Sequence, residues 1–254
     1  MNNKNITLFI VVIALVVGAI FFVSKDDAEK SDEYTINQIS TSTEVKIDSA
    51  QEKNNATAMA VPDLDRLIIA PSIQGAVREQ ITSQLKEVSG NLKSNTDSFD
   101  NWILLGSLRK IAGDYEGSRD AWEYTSSIRP LNQTSFGNLG DLYHYYLKDY
   151  PRAEKNLLTS VKNNSENIAG YRDLYNLYTQ SYKEKINEAP KILISGLSKN
   201  HNNLDLLVLL AKHYVGMGDK VNATKYYELA ITEAQKEGNT SLKQSLESEF
   251  SSLK

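Results

Sequence analysis

The side chains that could do chemistry in this chain are few and scattered. Its 254 residues include three histidines, His144, His201 and His213, and no cysteine. The spacing of the histidines matches no His-Glu-x-x-His or similar ligand pattern, and without a thiol there is no thiolate site. Neither a Gly-x-Ser-x-Gly turn nor a glycine loop shaped for phosphate is present, and the glycines fall where helix turns and helix crossings would use them. Carboxylates are plentiful, yet no pair stands apart for acid–base work. No metal, no cofactor and no enzymatic activity are expected. What remains is binding chemistry, above all Tyr143-His144-Tyr145-Tyr146 with Tyr150. Tyrosine can anchor a bound peptide because it is amphipathic and loses little entropy on ordering. Packing between neighbouring helices is the competing use of the same rings.

The elements that would hold these residues come in a repeat. Stretches starting near Phe99, Gln133, Ile168 and Leu204 share one pattern of large and small residues, recurring every 34 to 36 positions. The first runs Trp102, Leu105, Gly106, Gly113-Asp114-Tyr115, Ser118, Trp122, Pro130; the second Phe136, Leu139, Gly140, Tyr143, Ala153, Leu157. The third has Tyr171, Leu174, Tyr178, Ala189, Leu193 and Gly196, and the fourth Leu207, Leu210, Ala211, Tyr214, Gly218-Asp219, Ala223, Tyr227 and Ala230. Spacings of three, four and seven put these residues on one face of each helix. Gly106, Gly140 and Ala211 fall where a first helix would cross its partner, opposite Ser118, Ala153 and Ala223, because close backbone approach needs small side chains. Gly113-Asp114 and Gly218-Asp219 read as tight turns between helices. Units two and three carry extra residues near their internal turns, at Lys148 to Pro151 and Lys183 to Pro190.

This arrangement resembles the tetratricopeptide repeat (TPR) family, whose unit is two antiparallel helices with the pattern W-x2-L-G-x2-Y, then A-x3-F, then P. Unit one matches at Trp102, Leu105, Gly106, Trp122 and Pro130 and departs at Arg109 and Ser118. Unit four matches at Leu210, Tyr214, Ala223, Tyr227 and Ala230, and lacks the closing proline; Tyr175 of unit three stands where the family has a small residue. The resemblance implies an all-α, right-handed α-solenoid of four helix pairs, 99–132, 133–167, 168–203 and 204–237. It also implies a protein or peptide partner held on the concave face lined by first helices. The positions the family uses for ligand contact correspond here to Lys110, Asp141, His144, Tyr145, Arg172, Asn176 and Lys212, with Tyr143 in the core. The Lys/Asn/Arg clamp by which some relatives seize a C-terminal carboxylate is not reproduced, since Ile103 occupies its first basic place.

Outside the repeats the physics changes. Ile6 to Val23 is uncharged, and eighteen residues at ~1.5 Å rise make ~27 Å of helix, close to a bilayer's ~30 Å core. Residues 1–23 are read as a retained single-pass transmembrane anchor. Cleavage as a signal peptide is the alternative, but the apolar run is long for one and Ile20-Phe21-Phe22-Val23 offers no small-x-small site. Lys4 precedes the span and a net-acidic stretch follows it, which favours an extracytoplasmic array at the cell membrane. Residues 24–60 read as a disordered acidic tether: four lysines face eight acids, so it holds the whole of the chain's net charge of −4 and leaves the array nearly neutral. Nucleic acid, which needs a concentrated basic face, is therefore not an expected partner.

Residues 61–98 should hold an amphipathic capping helix starting at Pro71-Ser72, with Ile73, Val77, Ile81, Leu85, Val88 and Leu92 on its apolar face. Residues 238–254 should hold a second cap through Leu242, Leu246, Phe250 and Leu253, as the ends of an array require. The function that follows is a membrane-tethered, non-catalytic scaffold. An accessory subunit that positions an envelope-assembly or secretion enzyme is the alternative, and a glycan or lipid binder is a weaker third. Protease added to intact cells should remove the array and spare an N-terminal tag; protection of the array reverses the orientation, and its release in soluble form removes the anchor.

Overall fold

The structure is a computed structural model and describes residues 59–253. The expected anchor, and the tether up to residue 58, lie outside the described residues. Among the described residues no helix is long and apolar enough to cross a membrane. They form ten α-helices and no strand. Helix α1 (Gly75–Ser94) is followed by the pairs α2 (Phe99–Ala112) and α3 (Tyr115–Ile128), then α4 (Thr134–Tyr145) and α5 (Tyr150–Asn163). Next come α6 (Ile168–Asn176) and α7 (Ala189–Lys199), then α8 (Leu204–Gly216) and α9 (Lys220–Lys236), and finally α10 (Thr240–Ser251). Each helix packs on the next in chain order, which makes the fold an α-solenoid.

Two kinds of turn, each written locally in the sequence, set this order. Between units, the N–H of Asn95, Arg129, Asn164 and Asn200 closes the preceding helix on the carbonyl four residues back. Three residues later the N–H of Ser98, Asn132, Asn167 and Asn203 returns to the carbonyls of those same four residues. Within units, a left-handed residue is followed by an aspartate that caps the second helix. Gly113 (φ 83°) precedes Asp114 and Gly218 (φ 71°) precedes Asp219. Unit two does the same with Lys148 at φ 57°, a conformation that costs a residue with a Cβ. The carboxylates of Asp114, Asp149 and Asp219 accept the N–H three residues on at 3.0, 3.1 and 3.0 Å.

Unit three lacks such a turn. After α6 the chain widens into a π-helical turn, Leu177–Ser181, then a 3-10 helix, Lys183–Glu188, before α7 begins. This is the lengthened connection expected from the extra residues there. Tyr175 explains the displacement: it stands at the crossing place that is glycine in units one and two, and the close approach moves to Gly196 on α7. A Cβ on Gly196 would lie 2.8 Å from Leu206 and 2.9 Å from the Tyr171 ring.

The crossings are small against large, which corrects the pairing of Gly106 with Ser118 and of Gly140 with Ala153. A Cβ on Gly106 would overlap the Trp122 indole, and one on Gly140 would overlap Leu157. The Trp122 indole N–H donates to the carbonyl of Ile103 at 3.2 Å, so the ring is held over the glycine by its polar edge. Ser118 and Ala153 are nevertheless fully buried. The core forms two clusters rather than one continuous body. One joins α1, α2 and the inner side of α3, from Ile69 to Tyr124; the other runs from Trp122 through units two to four to Leu246 of α10.

Helix α1 buries Ile81, Leu85, Val88 and Leu92 against this first cluster, but it begins at Gly75 rather than at Pro71-Ser72. The Ile73 N–H bonds back to Ala70, so residues 70–73 close a turn first, and Val77, in the first helical turn, stays exposed. At the other end α10 buries Leu246, with Leu242, Phe250 and Leu253 half-buried around it.

Gly106→Ala should destabilise the array by ~1 to 3 kcal/mol through overpacking against Trp122. Gly90→Ala, in the interior of α1 with nothing near its Cβ position, should stabilise it by ~0.5 to 1 kcal/mol. Chemical denaturation reads both, and effects of the same sign would refute the crossing assignment.

Candidate functional site

The first helices α2, α4, α6 and α8 carry the side chains expected to meet a partner, and ion pairs tie several of them to the next element along the stack. Lys110 of α2 pairs with Asp141 of α4, and its ammonium lies 5.0 Å from the centre of the Tyr146 ring. Arg172 of α6 faces Asp205 of α8 at 3.7 Å, with both side chains more than half exposed. Lys212 of α8 reaches Glu249 of the capping helix α10 at 3.3 Å. The Arg172 and Lys212 pairs are solvent-facing, where an ion pair contributes little, so a partner can exchange with them at low cost, whereas Lys110–Asp141 is partly buried. Asn176 is half-buried at the end of α6.

His144 departs from expectation. It does not project into an open groove: it is 1% exposed, stacked on Tyr145 with ring centres 3.8 Å apart. Its Nε2 lies 2.9 Å from the Ser181 hydroxyl. The π-helical turn of unit three carries Ser181 over the ring, a contact no local pattern announces. Burial, and then the charge of Lys148, push the imidazole below its ordinary value, so it is held neutral. The exposed members of the aromatic cluster are Tyr145 and Tyr146, each 40% exposed. Tyr143 is buried, and its hydroxyl donates to Glu123 at 2.6 Å.

Beside Tyr145 the structure brings in a carboxyl that pattern reading missed. Asp173 of α6 is half-buried and, among the described residues, has no ion-pair partner. Burial, then the charge of Asp141, push it up to about 6, with Arg172 pulling weakly the other way. A carboxyl carried at that level costs stability in the free protein and marks a place where a cation or donor would be welcome. Its neighbour in sequence, Arg172, drew notice as a charged first-helix residue, but burial of Asp173 depends on packing that spacing does not reveal. Among the described residues no three His, Asp or Glu side chains converge to hold a metal ion.

A second arrangement missed from sequence lies at the start of the array. Residues 63–70 cross the α2–α3 turn as an extended strap. Arg66 lays the Nε/Nη2 edge of its guanidinium on the two oxygens of Asp114, at 2.7 and 2.6 Å, and Asp114 is almost fully buried. The Ala70 N–H donates to the carbonyl of Ala112 at 2.7 Å, and its Cβ sits over Gly113. Arg109 stands where the repeat pattern has tyrosine; it is fully buried and donates to the carbonyls of Asp63 and Gly117, at 2.5 and 3.2 Å. Burial pushes Asp114 up, but the bonds from Arg66 and the Gly117 N–H, with the charges of Arg66 and Arg109, hold it below the usual carboxylate range. Arg109, one of the departures of unit one from the repeat pattern, thus sits beneath a segment that comes from outside the repeats.

No protein-family model matches the chain, and no curated protein matches it. Solved structures do. Two crystal structures of MamA superpose with a TM-score of 0.51 at 14% identity. One match covers 66% of this chain and 99% of that protein, the other 64% and 87%. The fold is TPR-like. The likeness extends to the path of the helices and not to side chains.

Asp173→Asn should stabilise the free protein at pH 7. The folded value lies above the unfolded one of 3.8, so the penalty removed is absent below about pH 4, grows as pH rises, and is nearly complete above about pH 6, at ~3 kcal/mol. Denaturation curves at pH 4 and 7 check this; an equal gain at both would show that the Asp173 carboxyl is not held up by burial.

Proposed function

We propose that this protein is a membrane-tethered, non-catalytic scaffold whose right-handed array binds an extended segment of a partner protein along the first-helix face. The observation that carries the reading is the exposed Tyr145 ring close to the half-buried Asp173 carboxyl, with the exposed Tyr146 ring beside Lys110 at the end of the same helix. Two amphipathic rings supply contact area that orders cheaply, and a basic or donor side chain of the partner would relieve Asp173 of its burial cost. The ladder Lys110–Asp141, Arg172–Asp205, Lys212–Glu249 flanks this group with both charge signs. Such a mixed surface suits a peptide better than a uniformly charged polymer.

The rest of the chain supports delivery rather than chemistry. An uncharged run at Ile6–Val23 would hold the array at the cell membrane, and the ~37 residues after it, acting as the expected tether, would give an r.m.s. reach of ~30 to 36 Å. The array would then sample the layer next to the membrane on its outer side, where its partner would be met.

Crosslinking followed by pulldown from detergent-solubilised membranes tests the reading. A variant with Tyr145, Arg172 and Asn176 all changed to alanine should lose the partner recovered by the wild-type chain while keeping its helix content and melting temperature. Tyr143→Ala should instead loosen the array by ~3 to 5 kcal/mol, because its ring is buried. If the triple variant retains its partner, the first-helix face is not the binding surface.

A further inference from the structure

The ion pairs along the first helices join each element to the next with one interruption. Lys110 of α2 meets Asp141 of α4, Arg172 of α6 meets Asp205 of α8, and Lys212 of α8 meets Glu249 of α10. Between α4 and α6 no pair forms among the described residues, yet half of one is present. The Asp173 carboxyl of α6 lies half-buried close to Tyr145 of α4, and among the described residues its oxygens enter no ion pair and no side-chain hydrogen bond. The nearest cations are engaged elsewhere: Lys110 on Asp141, and Arg172, on the same helix as Asp173, on Asp205. The preceding seam shows what would complete this one. There the Lys110 ammonium meets the Asp141 carboxylate and lies 5.0 Å from the centre of the Tyr146 ring. At the α4–α6 seam the carboxyl is Asp173 and the ring is Tyr145, 40% exposed and backed by the buried His144 at 3.8 Å.

We propose, building on the first-helix face as the binding surface, that the α4–α6 seam seats one lysine or arginine side chain of the bound segment, and that the segment is released in mild acid when the seam takes up a proton. The stem of such a residue covers the Tyr145 ring while its charge reaches Asp173. The resulting bond is charge-assisted and stronger than a neutral one. An acidic side chain is repelled here by both Asp173 and Asp141. The charges that reach Asp173 are those of Asp141, on α4, and Arg172, on its own helix; among the described residues α5, α7 and the π-helical turn, which also pack on α6, bring none. Tyr145 stays protonated, because burial and then the charges of Asp173 and Asp141 push its hydroxyl up, and His144 beneath it is held neutral. Burial, with the repulsion of Asp141, pushes Asp173 up to about 6. A bound cation favours the ionised carboxyl, so binding must expel a proton below that value and is insensitive to pH above it.

The test titrates the full chain in detergent, with carbon-13 in its tyrosine rings, with the peptide acetyl-Gly-Ala-Lys-Ala-Gly-amide and with its norleucine counterpart, which keeps the stem and lacks the charge. The lysine peptide should move the Tyr145 ring signals saturably at pH 7, bind about tenfold more weakly at pH 5, and outcompete the norleucine peptide. Asp173→Asn, nearly unchanged in volume, should bind the lysine peptide about tenfold more weakly at pH 7 and equally at both pH values. Absence of binding, equal binding of the two peptides, or a wild-type pH dependence in Asp173→Asn each overturns the proposal. Its failure is distinguishable from failure of the surface it builds on. If the peptide does not bind while the Tyr145, Arg172 and Asn176 triple variant loses its partner, the first-helix face stands and the cation seat alone is wrong; if the triple variant keeps its partner, the face is wrong and the seat falls with it.

Discussion

The distance between the two helices of a unit is set by a glycine under a large side chain, and the remaining structure is arranged around that contact. At Gly106 the backbone of α2 comes within reach of the Trp122 indole, and at Gly140 that of α4 reaches Leu157. A helix pair held this closely has one apolar face left over on each side, which is why no pair is stable alone and each must be covered by its neighbour. Unit three shows the same requirement met differently. Tyr175 fills the crossing place, Gly196 provides the close approach from the other helix, and the π-helical turn absorbs the change in register.

Stacking leaves two ends to close. The C-terminal end is closed by α10, with Leu246 buried. The N-terminal end is closed twice, by α1 over α2 and by the strap over the α2–α3 turn. The strap meets charge in the core: Asp114 and Arg109 are both almost fully buried, Asp114 accepts both bonds of Arg66, and Arg109 donates to the carbonyl of Asp63. Taking one of these partners away would strand a buried charge, which costs far more than the pair contributes when intact. The strap is thus part of the first repeat in energetic terms although it lies outside it in sequence.

The surface offered to a partner follows from the same geometry. Side chains of the first helices form a row along the stack, and ion pairs join unit one to two, three to four and four to α10. Within that row the bulky rings of Tyr145 and Tyr146 stay exposed, since the inward positions are already taken by Tyr143 and His144. Asp173 is buried by this crowding rather than by any partner of its own.

How far the chain could be read without its structure depended on the range of each interaction. The helix turns were legible because Gly113-Asp114 and Gly218-Asp219 act within a few residues, through a left-handed backbone and a local cap. The four units were legible because a 34- to 36-residue period of large and small residues repeats the same local solution. Tyr143 was legible as core for the same reason, and so was the polar character of Lys110, Arg172 and Lys212. Three things were decided only by tertiary structure: the burial of His144 beneath Ser181, the raised carboxyl of Asp173, and the strap contacts of Arg66 with Asp114 and of Arg109 with Asp63. Each joins residues more than thirty positions apart or depends on how neighbouring units crowd together, and a repeat pattern records which face of a helix is apolar but not what comes to lie against it.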